Sequence, residues 1–207
     1  MKLILIRHGQ SRQNEELENS SAFYESQPRQ ADSPLTLTGL EQARYTGQFL
    51  ATEPLGVIFT STLDRARRTA NEIQTRGHKY LAITEIRELN EKNERTKGIH
   101  QSETMEDFTK RVRAFYELII EPYKRNFLKY TQTENITIVG HSVFISVLTS
   151  ILLDEPIQTP LVYRNPNCAI TRFECLEGKW VMLCQGSVAH LLEELQTGVD
   201  ANPETLV

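Results

Sequence analysis

An α/β fold built on a largely parallel sheet is predicted for this chain of 207 residues. Three observations predict it. Continuous apolar runs open the chain and recur along it, as in strands buried on both faces. Stretches with apolar residues at helical spacing separate these runs. Toward the C-terminal end, CAITRFEC (168–175) and WVMLCQ (180–185) alternate in polarity and are joined by Leu-Glu-Gly-Lys, the signal of an antiparallel hairpin added at the sheet edge.

Each element follows from its own residues. Lys2 to Ile6 is the first buried strand. Asn14 to Ser33 is polar with weak periodicity, and reads as a long loop with room for a helical turn. Thr38 and Glu41 have the spacing of a capping box, and Leu40, Ala43, Gly47 and Leu50 fall on one helical stripe. GVIFTS (56–61) is a second buried strand, followed by a helix from about Leu63 to Thr75 that Gly77 closes. YLAIT (80–84) is a short third strand. Phe108, Val112, Phe115, Leu118 and Ile119 predict a long amphipathic helix over 105–130, kinked or divided at Pro122. NITIVGHS (135–142) is a fourth strand ending in a Gly-His turn, and a helix follows over 143–153. After the hairpin come a short helix at 188–195 and a polar tail. No internal repeat, low-complexity linker or composition break divides the chain, so residues 1–207 are expected to form a single domain.

Composition narrows the function. A chain that is 39% hydrophobic and 24% charged is that of a globular protein. The formal net charge of −4 supplies no basic field for nucleic acid or anionic lipid. No apolar stretch is long enough for a signal-peptide core or a membrane span, so a cytoplasmic location without membrane association is expected. The cysteines Cys168, Cys175 and Cys184 are odd in number and have no CxxC spacing, which suits reduced packing thiols. No Cys/His pair has zinc-finger spacing, so no metal site is expected.

Two strands end in histidine. Arg7-His8-Gly9 follows the first and Gly140-His141-Ser142 the fourth. Ligands of open parallel sheets bind at the carboxyl ends of the strands, so both imidazoles are expected at the functional edge. Arg65, in STLDRARRTA just after the second strand, is expected at the same edge, where a guanidinium fork matches phosphate oxygens. Arg67 and Arg68 fit a solvated helix face.

At this point the chain resembles the histidine phosphatase superfamily, which includes the cofactor-dependent phosphoglycerate mutases. The resemblance rests on an ordered set: RHGQS with Asn14 six residues after His8; DSPLTLTGLEQA (32–43); TSTLDRARRTA; LNE (89–91); IVGHS (138–142); and NCAITRFE (167–174). It implies a three-layer α/β/α sandwich and a phosphate pocket of Arg7, His8, Asn14, Arg65 and His141, with added hydrogen bonds from Ser11 and the backbone near Ser142. It also implies phosphoryl transfer to His8, no cofactor, and a small phosphorylated substrate. A neutral imidazole offers a lone pair at physiological pH. Its other nitrogen must be held by a carbonyl, for which Gly9 is the expected source. Arg7, Arg65 and, if it is protonated, His141 would meet the phosphoryl charge. The leaving oxygen needs an acid. Glu91 in Leu89-Asn90-Glu91 fits the family pattern, Glu88 is second, and Glu85 and Glu94 are loop carboxylates; the acid is expected to have a raised pKa.

Two departures from the family bear on function. Where members commonly carry a glycine four residues after the acid, this chain has Arg95, and Gly98 is its next glycine. The acid loop also reaches the next helix quickly through HQSETMEDF, which leaves little room for a lid. The stretch from Asn14 to Asp32 is longer than expected, so Phe23, Tyr24 and Arg29 are expected to cover the pocket and select substrate. A shortened lid admits water, which favours a phosphatase over a mutase. Tyr163, Arg164 and Asn165 fit a substrate contact or a structural role equally. A phosphate-binding module without catalysis is the alternative of another class. Oligomeric state is left open.

Overall fold

A computed structural model describes residues 1–19, 32–91, 103–130, 135–157 and 163–198, with side chains of 127–130 outside the description. Among these residues the strands are β1 (Lys2–Arg7), β2 (Val57–Thr60), β3 (Ile83–Glu85), β4 (Ile136–Gly140), β5 (Ile170–Leu176) and β6 (Lys179–Ser187). They form one sheet in the order β3-β2-β4-β1-β5-β6. β3, β2, β4 and β1 run parallel, and β5 is antiparallel to both β1 and β6. The hairpin therefore extends the parallel sheet at one edge, with Glu177 (φ 50°) and Gly178 (φ 78°) at its turn.

Alternation along β1 explains the layers. Leu3 and Leu5 enter one core with Phe108, Val112, Phe115, Phe144 and Leu148. Ile4 and Ile6 enter the other with Leu50, Ala66, Ala70 and Ile73. The helices α2 (Leu37–Leu50) and α3 (Asp64–Thr75) cover the second face. The first is covered by α4 (Met105–Phe115), α5 (Glu121–Tyr130) and α6 (Ser142–Leu152). The result is the three-layer α/β/α sandwich expected from the sequence.

Several elements differ from expectation. Residues 12–19, read in part as loop, form the helix α1 (Arg12–Asn19), which buries no residue and so shows no apolar stripe. Thr36, not Thr38, caps α2, its hydroxyl accepting from the Gly39 amide. Thr36 wins because it is also anchored elsewhere: its N–H donates to the Gln10 carbonyl and its hydroxyl to Gln10 Oε1. The third strand is only Ile83–Glu85, and the last helix shrinks to a 3-10 turn at Glu193–Leu195. A π turn, Tyr116–Ile120, divides α4 from α5 just before Pro122. Its extra residue rotates the register, so Leu118 is 73% exposed and Ile120, not Leu118, enters the core.

Candidate active site

Sheet register assembles the site. Arg7 pairs with Gly140 and Thr60 with Val139, so β1, β2 and β4 end level with one another. The next residue of each strand, His8, Ser61 and His141, therefore emerges at one edge. The His8 N–H donates to the Gly140 carbonyl at 2.9 Å, and the Ser61 N–H to the Val139 carbonyl at 3.2 Å. The imidazoles of His8 and His141 meet edge to face, their centroids 5.1 Å apart. Arg65, second residue of α3, reaches between them: Nε donates to His8 Nε2 at 3.2 Å and Nη2 lies 3.3 Å from His141 Nδ1. Thr69, one turn on, donates to the Arg65 carbonyl and accepts from the Gly9 amide, tying α3 to the β1 loop.

Hydrogen bonds assign both imidazole tautomers. His8 Nε2 accepts from Arg65, so Nδ1 carries the hydrogen and donates to the Gly9 carbonyl at 2.7 Å. This is the arrangement expected from the sequence, with the Nε2 lone pair facing Arg65. Ser61 Oγ donates to Asn90 Oδ1 at 2.8 Å, an atom that can only accept. Ser61 Oγ must then accept from His141 Nε2–H, also at 2.8 Å, which leaves His141 Nδ1 as a lone pair toward Arg65. Both rings are neutral in this arrangement. Burial, then the field of Arg65, pushes both histidines well below the ordinary value of 6.5. His141 would meet phosphoryl charge only if protonated, and in this arrangement it is neutral.

Arg7 is 8% exposed, donates Nη1 to the Asn165 carbonyl at 2.8 Å, and keeps a buried Nε with no hydrogen-bond partner among the described residues. Burial lowers it to about 10, against the opposing pull of Glu91 and Glu18, so it remains a cation near neutral pH. Arg65 is lowered by burial, while Glu91 and Asp32 pull it up; Asp32 Oδ1 is 3.9 Å from its Nη1.

Ser11 faces α1 as a cap, its Oγ accepting from the Asn14 N–H. Asn14 Oδ1 accepts from the Ser11 amide and hydroxyl and from Asn167 Nδ2. That leaves the Asn14 Nδ2 hydrogens for an acceptor. Ser142 is buried at the start of α6. The amides beyond it do not stand open: Val143 N–H and Phe144 N–H each donate to the Glu91 carboxylate at 3.3 Å. Glu91 thus caps α6 beside His141. The Glu88 side chain is exposed on the 3-10 turn Arg87–Leu89. Arg67 pairs with Asp64 and Glu85, and Arg68 with Asp64, on the outer face of α3. Asn165 is a brace for Arg7, and the Tyr163 hydroxyl donates to Glu155. Phe23, Tyr24, Arg29, Glu94, Arg95 and Gly98 lie outside the described residues.

Sequence reading passed over Ser61, Asn90 and Asn167, although each sits inside a quoted motif. For Ser61 the signal available was position, because a small polar residue directly after a buried strand lies at the ligand edge. Among the described residues, no group of three or more His, Cys, Asp or Glu side chains could hold a metal ion, and no helix is long and apolar enough to cross a membrane.

The sequence profile of the histidine phosphatase superfamily (branch 1) matches residues 3–117 and 90–187. A relative from Klebsiella pneumoniae, described as a probable phosphoglycerate mutase GpmB, is 28% identical; the alignment covers 95% of this chain and 99% of the relative. Among solved structures, YhfR of Bacillus stearothermophilus superposes with a TM-score of 0.71 at 22% identity, covering 91% of this chain and 98% of its own. The alpha-ribazole phosphatase of Shigella flexneri gives 0.69 at 22% identity, covering 90% and 96%.

Proposed function

This chain belongs to the histidine phosphatase superfamily, and from that membership we propose that it is a metal-independent phosphomonoesterase acting through a phosphohistidine on His8. The observation that carries the reading is the His8 tautomer: Nδ1–H is committed to the Gly9 carbonyl, and the Nε2 lone pair faces the Arg65 guanidinium. A nucleophilic lone pair beside a fixed cation is what attack on a phosphoryl group requires.

The His8 Nε2 lone pair attacks phosphorus as the bond to the leaving oxygen breaks. Arg7, Arg65 and the Asn14 amide bind the three phosphoryl oxygens, and Arg7 Nε, which has no partner among the described residues, gains an acceptor. Glu91 gives a proton to the leaving oxygen. Glu91 takes up that proton from solvent before the transfer, and the phosphoryl anion beside it favours the protonated form. Water then attacks phosphorus, the P–N bond breaks, Glu91 accepts a proton from water, and His8 recovers its lone pair. His141 acquires a proton at Nδ1 to donate to the phosphoryl group, while Ser61 continues to hold Nε2.

The test is release of p-nitrophenol from p-nitrophenyl phosphate in the presence of EDTA. Full activity is expected, with a loss of at least about a thousandfold in His8→Ala. Turnover that survives in His8→Ala, or that EDTA abolishes, contradicts the reading. Absence of any turnover supports the non-catalytic phosphate-binding alternative. A mutase is the second reading, favoured by the relative described as a probable phosphoglycerate mutase. Hydrolysis is preferred because the chain passes from Glu91 to α4 without a long insertion. Net release of inorganic phosphate from phosphoglycerate, rather than its isomerisation, distinguishes the two. The substrate class is a small phosphorylated metabolite, and a cytoplasmic setting without nucleic acid or membrane partners fits the acidic charge balance.

A further inference from the structure

We propose that Arg111, on α4 and outside the phosphate pocket, is the positioning residue for the proton donor Glu91; the inference rests on the reading of Glu91 as the acid. Arg111 Nη1 donates to two carbonyl oxygens at once, that of Glu88 at 2.6 Å and that of Asn90 at 3.0 Å. The second belongs to the peptide unit that leads directly into Glu91. The other side of the guanidinium forms a bidentate pair with Glu103, Nε to Oε1 at 2.9 Å and Nη2 to Oε2 at 2.7 Å. Phe108 lies under the guanidinium, its ring centroid 4.6 Å from Cζ.

One planar cation thus joins two separate stretches of chain. It grips the acid loop on the near side of residues 92–102 and Glu103 on the far side. Both charged partners are largely withdrawn from water, at 22% and 14% side-chain exposure, so solvent screens the pair less than a surface salt bridge. The acid loop is also held by the residues that follow β2 and by α6. Asn90 Oδ1 accepts from the Ser61 hydroxyl and from the Thr62 amide and hydroxyl, and Glu91 itself accepts from the α6 amides. Asn90 is held by its side chain toward His141 and by its backbone toward Arg111. The Glu91 peptide cannot then shift without breaking one set. A proton donor works only from hydrogen-bond reach of the leaving oxygen, and displacement by about 1 Å can cut a rate about a hundredfold. Arg111 therefore acts on the leaving-group step through Glu91, with no contact to the phosphoryl group itself.

The experiment compares leaving groups within single variants. Phenolate from phenyl phosphate needs a proton as it departs; the dinitrophenolate from 2,4-dinitrophenyl phosphate does not. The ratio of kcat/KM for the two substrates is measured for wild type, Glu91→Gln, Arg111→Ala, Arg111→Lys and the Glu91→Gln/Arg111→Ala double variant. Because both rates come from one sample, a partly unfolded fraction cancels from the ratio. Arg111→Ala and Arg111→Lys are expected to lower the ratio about tenfold, since a lysine ammonium cannot bridge both carbonyls and the carboxylate. The double variant is expected to match Glu91→Gln, and inhibition by inorganic phosphate to stay unchanged in Arg111→Ala. If Glu91→Gln lowers the ratio and neither Arg111 variant does, the positioning role is refuted while the acid assignment stands. If Glu91→Gln leaves the ratio at the wild-type value, the acid assignment fails and the proposal falls with it.

Discussion

His141 is held neutral by residues that lie far apart in sequence. Asn90 orients Ser61, Ser61 takes the Nε2 hydrogen, and Arg65 occupies the Nδ1 side. His8 is fixed in the complementary tautomer by its own neighbour Gly9. The two rings share one physical consequence. Their folded-state pKa values lie well below 6.5, so above about pH 6.5 both folded and unfolded chains hold them neutral and the full stability is present. As pH falls below about 6.5, the unfolded chain binds protons that the folded one excludes, and stability declines. The slope approaches about 1.4 kcal/mol per pH unit for each histidine. His190, lowered by burial to about 4, adds to the same trend over the window from 6.5 down to that value. Denaturant unfolding between pH 7.5 and 5 is expected to show this loss in the wild type and a visibly shallower loss in His141→Gln. A flat wild-type profile would mean that both imidazoles are charged or solvated in the folded state. At this scale the sequence was legible for His8, His141, Arg7 and Arg65, because each follows or flanks a buried strand. It was not legible for Asn90 or Arg111, whose partners come together only through the fold.

Helix α2 shows how an element is placed for a site to which it contributes no charged group. Gly9 and Gly39 lie back to back, and a Cβ on Gly9 would sit 2.3 Å from the Gly39 carbonyl oxygen. A Cβ on Gly39 would sit 2.1 Å from that of Gln10. Nothing but hydrogen fits between the start of α2 and the loop carrying His8. Gly39→Ala is expected to destabilise the protein by about 2 to 4 kcal/mol, as overpacking against backbone does, and to lower kcat by displacing His8. Thermal unfolding and steady-state kinetics check both effects, and a neutral variant would show that the loop yields freely. The same contact explains why the α2 cap was misread. Thr38 and Glu41 carry a valid local pattern, but docking against Gln10 selects Thr36. Helix α1 was illegible for a different reason: with no buried residue it has no periodic stripe. Its supports are hydrogen bonds to its surroundings, among them the Ser11 cap, the bond from Gln10 Nε2 to Glu18, and the bonds from the Arg12 N–H to the Pro34 carbonyl and from the Gln13 N–H to Ser33 Oγ. The π turn before Pro122 was half legible. The proline marked a division, but not which way the register would turn.

At the scale of the whole molecule, strand order does the assembling. Placing β4 between β1 and β2 sets His8, His141 and the start of α3 side by side, although they are separated by most of the chain. The parallel arrangement was readable from the apolar runs, and the edge hairpin from its Glu-Gly turn. That β5 pairs with β1 depended on long-range pairing with no local signal. This topology concentrates two buried arginines in a protein of net charge −4, so the positive field is local to the pocket and not a property of the surface. The central claim is that the pocket delivers a phosphoryl group to one atom, Nε2 of His8. The most direct test is rapid acid-free quenching of the enzyme during turnover of labelled p-nitrophenyl phosphate, followed by peptide mapping under alkaline conditions. An acid-labile, alkali-stable phosphoryl group on the His8 peptide, absent from His8→Ala, is the predicted result. A label on His141 or on a carboxylate, or steady turnover with no covalent label at any quench time, would contradict the account.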